Sequence, residues 1–347
     1  MKAARLFGVG DLRVVDVPLP EPGEGEVLIK VMAVGVCGSD IPRVMVKGTY
    51  RVPLTIGHEF AGQLAAVGRG VSGWNAGDRV TVAPLIPCYA CHWCRQGDYH
   101  MCDDYSYLGS RCDGALAEFV KAPARNLVRL PDNVDDEAGA LSDPAATALH
   151  ALWRYPFPLG GTLAVFGVGA IGFLALQWGR LMGAGQLVAV DVFDDKLQLA
   201  SELGATCTVN ARRQDPVAIV RGLGEAGGAD LVIEAAALQV TQLQAIRSAR
   251  KHGAAVLLGI SNDRLELPPA VVDDIMRREL LVTGTWNSNS MPFPGREWSL
   301  SVEAMGRGQL QCRPLISHRY AIEDAPAVFS RLARRDFSFT KVMFNLA

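Results

Sequence analysis

A chain of 347 residues is too long for one ordinary hydrophobic core, so we expect two domains. Hydrophobic residues make up 49% and charged residues 20%, which is typical of folded globular proteins and excludes a disordered chain. The net charge is −2 and there is no dense block of Lys and Arg, so nucleic acid is not an expected partner. The first residues show no apolar segment of the signal-peptide kind, and we expect a cytoplasmic protein.

The first third of the chain predicts a compact, β-rich domain. Residues 26–34 alternate as a strand does, and residues 60–67 continue in the same style. Gly and Pro interrupt these runs at short intervals, which indicates short strands joined by tight turns.

Four of the eight cysteines are crowded into fifteen residues of this third. They are Cys88, Cys91, Cys94 and Cys102. Four thiolates at such spacing can complete a tetrahedral zinc shell with no open position, so we predict a structural zinc site. A redox-active CxxC pair is the alternative, but it would need a thioredoxin-like context that the sequence lacks. His92 and His100 lie in the same loop and are expected to be solvated.

A second, more dispersed group of metal-binding side chains precedes the cysteine loop. Cys37 follows the first of these strands, and His58 comes about twenty residues later. A cysteine and a neutral histidine can hold a zinc ion whose open position accepts an alcohol. Either residue alone is more often part of a core, but their joint occurrence upstream of a four-cysteine loop favours a catalytic zinc site.

From about Asp143 onward, strand-like runs alternate with helical ones, which predicts a parallel, doubly wound sheet. The predicted strands cover residues 163–166, 187–190, 231–236, 255–260 and 280–284. The predicted helices cover residues 172–182, 195–203 and 240–251. After residue 286 the chain is rich in Pro, Trp and Asn, and it then offers a helix and a last strand at 341–346.

An uncharged run from Gly161 to Gly179 is long enough to resemble a membrane span. Glycines follow its apolar start, however, and three of them have the spacing of a turn. We therefore predict a buried strand, a tight turn and a buried helix, and no membrane as a partner.

The turn in this run carries the pattern G-x-G-x-x-G. It follows a strand, opens a helix and precedes Asp191 at the end of the next strand, as a dinucleotide-binding fingerprint requires. Gly167 permits the tight turn, Gly169 lets the backbone approach the pyrophosphate, and Gly172 allows the helix to pack closely on the sheet. The N–H groups at the start of the helix then face the phosphates.

Asp191 is expected to bind the adenosine ribose and to repel a 2′-phosphate, which favours NAD over NADP. Ile171 in the turn and Lys196 after Asp191 complete the predicted cofactor site. A glycine-rich turn that binds no cofactor is the alternative.

The run from Gly57 to Val71, G-H-E-x2-G-x5-G-x2-V, resembles the signature of the zinc-containing medium-chain alcohol dehydrogenases, and the cysteine loop has that family's spacing. The resemblance covers nearly the whole chain. It implies an α/β fold with a GroES-like, β-rich catalytic domain and a doubly wound Rossmann domain. We expect residues 1–152 and 288–347 in the first domain and residues 153–287 in the second. The resemblance also implies NAD and two zinc ions per chain, one catalytic and one structural.

The resemblance assigns roles around the catalytic zinc. Cys37 and His58 would be ligands, and Glu59 would be a carboxylate that can bind the metal or contact its water. Ser39 would take the substrate proton, and Asp40 would orient His58 through its second ring nitrogen.

The sequence departs from the family pattern at two positions. The third protein ligand, usually Cys or Glu, falls in residues 141–144, where the matching donor is Asp143. Because aspartate is shorter than glutamate, its ligation requires a closer backbone or an intervening water. Many relatives also have a proton-relaying histidine where this chain has Pro42. The proton would then leave from Ser39 by the cofactor ribose or through water near Glu59.

Third ligands of the glutamate or aspartate kind point to polyol, sugar-alcohol and threonine dehydrogenases. Residues 37–43, 108–114 and 284–298 are more narrowly similar to the galactitol-phosphate dehydrogenases. This similarity implies a polyol or polyol phosphate substrate, oxidised to a ketose. Arg43 and Arg296 are then candidates to bind the phosphate, although each is equally well explained as a surface residue.

Two other classes of protein share parts of this pattern. A zinc-free quinone or enoyl reductase would lack the cysteine loop and the Cys37 and His58 pair, so the sequence counts against it. A non-catalytic NAD-binding protein would keep the glycine turn, and only activity distinguishes it. By analogy we expect a homodimer or homotetramer, with residues 280–284 as an edge strand that can pair with its copy.

Overall fold

The computed structural model describes residues 1–224, 226–261 and 264–346. The chain divides into two units. The first comprises Met1–Ala146, Ser288–Gly308 and Cys312–Ala347, and the second comprises Thr147–Asn287 and Gln309–Gln311. The first unit is rich in strands, whereas the second alternates strands with helices, so the expected α/β class is confirmed.

Strands dominate the first 130 residues. They are β1 (Lys2–Gly8), β2 (Asp11–Asp16), β3 (Glu26–Gly35), β4 (Leu54–Thr55), β5 (Glu59–Val67), β6 (Arg79–Val82), β7 (Leu85–Ile86), β8 (Ser106–Tyr107), β9 (Phe119–Pro123) and β10 (Leu127–Arg129). The helices up to residue 152 are α1 (Asp40–Pro42), α2 (His92–Gln96), α3 (Asp136–Ala140) and α4 (Ser142–Leu152). A π-helical turn covers Arg43–Lys47, and 3-10 turns cover Tyr99–Met101 and Ala124–Asn126.

Strands and helices then alternate. The strands are β11 (Thr162–Phe166), β12 (Gln186–Asp191), β13 (Cys207–Asn210), β14 (Ala229–Glu234), β15 (Ala249–Leu257) and β16 (Leu281–Gly284). The helices are α5 (Ala170–Leu181), α6 (Asp194–Glu202), α7 (Pro216–Arg221), α8 (Gln239–Ser248) and α9 (Pro269–Arg277). The last elements are α10 (Arg296–Gly306), β17 (Ile316–Tyr320), α11 (Ala325–Arg334) and β18 (Lys341–Asn345), with 3-10 turns at Arg313–Leu315 and Ile322–Asp324.

Strand β3 is central to the first unit because it pairs antiparallel with β5, β9 and β18. Its side chains Val27, Ile29 and Val31 are fully buried in the core of this unit. Gly35, at its end, lies opposite Glu59 of β5 and Met343 of β18. Residues that are distant in the sequence therefore meet where β3 ends.

The sheet of the second unit has the order β13-β12-β11-β14-β15-β16, and all its pairings are parallel. The central strand β11 is buried along its whole length, as expected for a parallel strand with both faces covered. Strand β16 lies at one edge of this sheet. The uncharged run 161–179 forms β11, a turn and α5, as predicted. Among the described residues, no helix is both long and apolar enough to span a bilayer.

The predicted helix at 240–251 is wrong at its end, because α8 stops at Ser248 and the next residue starts β15. Ala249 pairs with Ala229 of β14, so the parallel sheet takes over from the helical pattern there. The strand predicted at 231–236 also stops early, at Glu234. Ala237, three residues on, has a φ of 63°, which no strand adopts.

Candidate metal and dinucleotide sites

The cysteine loop gathers four thiols at one point. The Sγ atoms all lie within 4.8 Å of one another, and they belong to Cys88, Cys91, Cys94 and Cys102. Neighbouring backbone N–H groups lower the pKa of the Cys91 thiol to about 6, which favours its thiolate. Burial raises the pKa of Cys94, so that thiol needs a cation to give up its proton. A group made of sulfur alone fits a structural zinc ion.

His100 is buried, and the expectation that it is solvated is wrong. Its Nδ1 lies 3.0 Å from the Asn289 carbonyl oxygen, which also accepts the His100 backbone N–H at 3.1 Å. Phe293 packs edge-on against Tyr89 and Tyr99 of the same loop. The cysteine loop is therefore packed against residues 289–293, a contact that the local sequence of the loop does not reveal.

The second metal-binding group lies where β3 ends and β5 begins. The pairing of these strands brings the residues after Gly35 next to those before Phe60. One ligand atom each of Cys37, His58 and Glu59 then lies within 4.8 Å of the others. His58 and Glu59 are buried, and Cys37 is half-buried. Thiolate, imidazole and carboxylate are the donors that zinc takes in catalytic sites.

Asp40 lies against His58, with 3.3 Å between Oδ1 and Nδ1 in an electrostatic contact that lacks hydrogen-bond geometry. Its Oδ2 accepts the Cys37 N–H at 3.2 Å. Burial lowers the pKa of His58, but Asp40 and the Cys37 thiol oppose it and hold that pKa well above its usual value. The surroundings of His58 thus favour positive charge, which suits a site for a metal cation.

Lys341 forms a buried ion pair with Glu59, and no local sequence pattern predicts this contact. Its Nζ also donates to the Val36 carbonyl oxygen at 3.0 Å. Gly35 leaves room for the pair, because a Cβ there would lie 2.7 Å from Glu59 Oε2 and 3.3 Å from Lys341 Cδ. The available signal was a lysine at the head of an apolar strand, which by itself does not indicate a partner.

Asp143 is buried in the first turn of α4 but lies outside the group of Cys37, His58 and Glu59. Burial raises the pKa of its carboxyl to about 7. Direct zinc ligation by Asp143 stays a prediction. Tyr107, also missed from the sequence, packs edge-on against His58 with 5.5 Å between ring centroids.

Of the remaining residues predicted for this site, some lie at the metal-binding group and others do not. Ser39 Oγ donates to Cys37 Sγ at 3.2 Å, so its hydroxyl lies at the metal-binding group. Arg43, a candidate for phosphate binding, donates to Asp40 Oδ1 at 2.6 Å. Arg296, the other candidate, is exposed at the start of α10.

The glycine turn joins β11 to α5. Gly167 has a φ of +90°, and a Cβ there would lie 2.8 Å from the Ala236 nitrogen, so the turn requires glycine. A Cβ on Gly172 would lie 2.2 Å from the Gly167 carbonyl oxygen. A Cβ on Gly169 would meet nothing within 4 Å. Packing does not require glycine at Gly169, whereas the close approach of a pyrophosphate would.

Asp191 is the last residue of β12, and its carboxylate forms a hydrogen bond with the same turn. Its Oδ2 accepts the Val168 N–H at 2.9 Å, and its Oδ1 accepts the N–H groups of Val192 and Phe193 at 2.7 and 3.2 Å. These contacts fix the carboxylate and leave it lone pairs for ribose hydroxyls. Lys196 Nζ lies 5.2 Å from the centre of the Phe193 ring. Ile171, in the first turn of α5, is half-buried.

Comparison with known proteins gives matches along nearly the whole chain. Residues 23–132 match the family described as alcohol dehydrogenase GroES-like domain, and residues 170–303 match zinc-binding dehydrogenase. Galactitol 1-phosphate 5-dehydrogenase of Escherichia coli (strain K12) is 35% identical over 94% of either chain. Sorbitol dehydrogenase of Bacillus subtilis (strain 168) is 30% identical over 99% of this chain and 96% of the relative.

Solved structures agree with these relatives. The crystal structure of galactitol-1-phosphate dehydrogenase from Escherichia coli superposes with a TM-score of 0.93 at 34% identity, covering 99% of this chain and 100% of that one. A putative zinc-binding dehydrogenase from Sinorhizobium meliloti 1021, bound to NADP, gives a TM-score of 0.92 at 34% identity, covering 99% and 98%. The chain therefore belongs to the zinc-containing medium-chain alcohol and polyol dehydrogenases, and it is an oxidoreductase of that family.

Proposed function

We propose that this enzyme oxidises a secondary alcohol of a polyol phosphate to a ketose, with NAD as the hydride acceptor. The observation that carries the proposal is the grouping of Cys37, His58 and Glu59 beside Asp40. The substrate class is supported by relatives named galactitol 1-phosphate 5-dehydrogenase and sorbitol dehydrogenase. A phosphorylated hexitol such as galactitol 1-phosphate is the favoured substrate, and a free polyol is the second candidate.

Cys37 and His58 would hold the catalytic zinc, and Glu59 or Asp143 would supply a further oxygen ligand. When bound, this zinc supplies a Lewis acid that lowers the pKa of the substrate hydroxyl. Asp40 would hold the His58 ring in position through its contact with Nδ1 at 3.3 Å. The four thiols of the cysteine loop would hold the second, structural zinc.

Ser39 would receive the hydroxyl proton, and the 3.2 Å between its Oγ and Cys37 Sγ supports this role. Pro42 has no side-chain donor or acceptor and cannot pass this proton on. Ser39 would therefore release the proton by the cofactor ribose or through water near Glu59, which is paired with Lys341.

NAD is the cofactor we propose, bound along Gly167, Gly169 and Ile171 with its ribose on Asp191. A relative structure with 34% identity holds NADP. In this chain a 2′-phosphate would meet the Asp191 carboxylate, which repels it. We expect kcat/KM to be at least roughly tenfold higher with NAD than with NADP, which corresponds to about 1.4 kcal/mol.

The test is a metal count beside an NADH-absorbance screen of phosphorylated and free polyols. We expect two zinc ions per chain and turnover on one polyol class. We also expect kcat/KM to be at least tenfold higher for the phosphorylated form. A smaller preference would reject a phosphorylated substrate and would indicate a dehydrogenase of free polyols. No turnover on any polyol leaves a threonine-type dehydrogenase or a non-catalytic NAD-binding protein.

The Cys37→Ser variant tests the catalytic zinc directly. It should lose turnover and one zinc ion, while the zinc of the cysteine loop and the fold are retained. Full activity in this variant would reject the assignment.

The assembly is proposed from one edge strand. Strand β16 lies at the edge of its sheet, and Leu281 in it is exposed. Pairing of this strand with its copy across a two-fold axis would give a homodimer, from which a homotetramer can be built. Sedimentation would distinguish these from a monomer.

A further inference from the structure

Arg111 carries a charge that no carboxylate in the described part of the chain neutralises. Its guanidinium makes no ion pair or hydrogen bond there, and its Nε is buried without a partner. The acid two residues away, Asp113, is already used, because it accepts the Thr55 N–H at 2.9 Å and pairs with Arg5 and Arg51. The cost falls on Nε, a buried donor that no group of the described chain satisfies, and an anion bound by this half-buried guanidinium would satisfy it.

Two tyrosine rings hold this guanidinium in place. Its Cζ lies 4.1 Å from the centre of the Tyr50 ring and 4.4 Å from that of Tyr105. Cation–π contacts restrain the charge without consuming its N–H groups as hydrogen-bond donors. A restrained guanidinium can still bind two oxygens of one anion side by side.

A short series of rings connects Arg111 with the metal-binding group. The Tyr105 ring lies 6.4 Å from that of Tyr107, which lies 5.5 Å from the His58 ring. The Arg111 backbone N–H also donates to the Tyr107 carbonyl oxygen at 2.9 Å, so one turn carries both side chains. The guanidinium is thus linked to His58 through two intervening rings, those of Tyr105 and Tyr107.

This separation suits a substrate whose anion is several bonds from the reacting carbon. A hexitol oxidised near one end and phosphorylated at the other has that shape, whereas the carboxylate of an amino acid such as threonine is only two bonds away. The two arginines that the sequence suggests for the phosphate, Arg43 and Arg296, are less suitable. Arg43 is committed to Asp40 at 2.6 Å, and Arg296 is an exposed residue of α10.

We propose that Arg111 is the residue that recognises the phosphate of a polyol phosphate, with Tyr50 and Tyr105 as positioning residues. The proposal rests on the proposed polyol dehydrogenase function and deepens it. It attributes the preference for phosphorylated over free substrate to the guanidinium of Arg111.

The test compares galactitol 1-phosphate with galactitol in wild type, Arg111→Gln and Arg111→Lys. We expect Arg111→Gln to lower kcat/KM for the phosphate by roughly 10- to 100-fold, mainly through KM, as loss of hydrogen bonds to a charged group does. Turnover of galactitol should stay within about threefold. Arg111→Lys should recover only part of the loss, because an ammonium lacks the paired donors.

The matched control is Arg13→Gln, which removes an exposed arginine that also packs on an aromatic ring, that of Phe7. It should leave both substrates unchanged. Tyr50→Leu should weaken the phosphate preference and Tyr50→Phe should keep it, which tests the positioning role at an exposed position that does not threaten folding.

Inorganic phosphate gives a readout that does not depend on turnover. It should raise the Tm of the wild type and of Arg13→Gln, and this shift should disappear in Arg111→Gln. Equal losses on both hexitols, or a phosphate-dependent Tm shift that survives in Arg111→Gln, would overturn the assignment of Arg111. If no polyol is turned over but the Tm shift follows Arg111, the proposed function fails and the anion site stands. If the variant instead loses turnover of L-threonine, the anion is a carboxylate and the phosphate assignment is wrong.

Discussion

The ammonium of Lys341 meets the carboxylate of Glu59 across 282 residues of sequence, in a buried ion pair at the candidate metal site. The pairing of β18 with β3 brings the lysine there, and the absence of a side chain at Gly35 makes the space. One oxygen of Glu59 is thereby held by a fixed positive charge. That charge competes with any metal ion for the same carboxylate.

Removing the lysine should expose this competition. We expect Lys341→Met to lower the free energy of unfolding of the zinc-free protein by about 3–5 kcal/mol, because Glu59 becomes an unpaired buried carboxylate. The double variant Lys341→Met/Glu59→Gln should regain much of that loss. Urea denaturation followed by circular dichroism measures both. Lys30→Met, at an exposed position of β3, is the control, and equal stability of Lys341→Met and wild type would contradict the structural role.

Loss of one thiol should open the cysteine loop. We expect Cys94→Ser to bind one zinc ion fewer and to lower the Tm by roughly 5–10 °C, because the metal closes a loop that packs on residues 289–293. Metal analysis, a thermal melt and limited proteolysis of the loop are the measurements. Cys207→Ser, in the other unit, should change none of them. An unchanged zinc content in Cys94→Ser would show that the four thiols do not act together.

Two glycines of one turn should respond differently to the same substitution. Gly169→Ala places its Cβ in open space, so stability should hold while the Kd for NADH rises by roughly tenfold, about 1.4 kcal/mol. Gly172→Ala places its Cβ 2.2 Å from the Gly167 carbonyl oxygen, so the fold itself should lose stability. That loss should be about 1–3 kcal/mol. Fluorescence titration and denaturation separate the two effects, and a destabilised Gly169→Ala with normal NADH binding would reverse the assignment.

Glu137 gives the first unit a contribution to stability that depends on pH. Its carboxylate binds Arg319 through both oxygens, at 2.7 and 2.8 Å, and also accepts from Asn345 at 3.0 Å. Arg319 lowers the pKa of Glu137 below its usual 4.5, so the stabilisation is present above that value and is lost as the pH falls through the lowered pKa.

The variant Glu137→Gln should therefore be less stable than wild type by up to about 1 kcal/mol at neutral pH, with no difference in strong acid. Urea denaturation at a series of pH values measures this. A difference that grows on acidification would contradict the sign.

Local patterns predicted those features that local physics determines. The apolar runs of β11 and α5, the glycine turn and the cysteine spacing each lie within a short stretch, and each was recognised there. The contacts of Lys341 and Tyr107 were not predicted. Lys341 reaches Glu59 only when β18 pairs with β3, and Tyr107 reaches His58 only through a tight turn.

The wrong expectations have the same origin. His100 was expected to be solvated because its own loop offers no partner, whereas the partner is Asn289, 189 residues away. The helix predicted at 240–251 follows a real helical pattern, which the parallel sheet interrupts at Ala249. Long-range pairing decided these positions, and no short window of sequence contains it.

Because Lys341 lies in the last strand, β18, it is synthesised long after the residues of the candidate metal site. Cys37, His58 and Glu59 leave the ribosome early, and for most of translation the Glu59 carboxylate has no ammonium beside it. Only when Lys341 has been made and β18 has paired with β3 can the buried ion pair with Glu59 form. The counter-charge of this carboxylate therefore depends on the last strand of the chain to be synthesised.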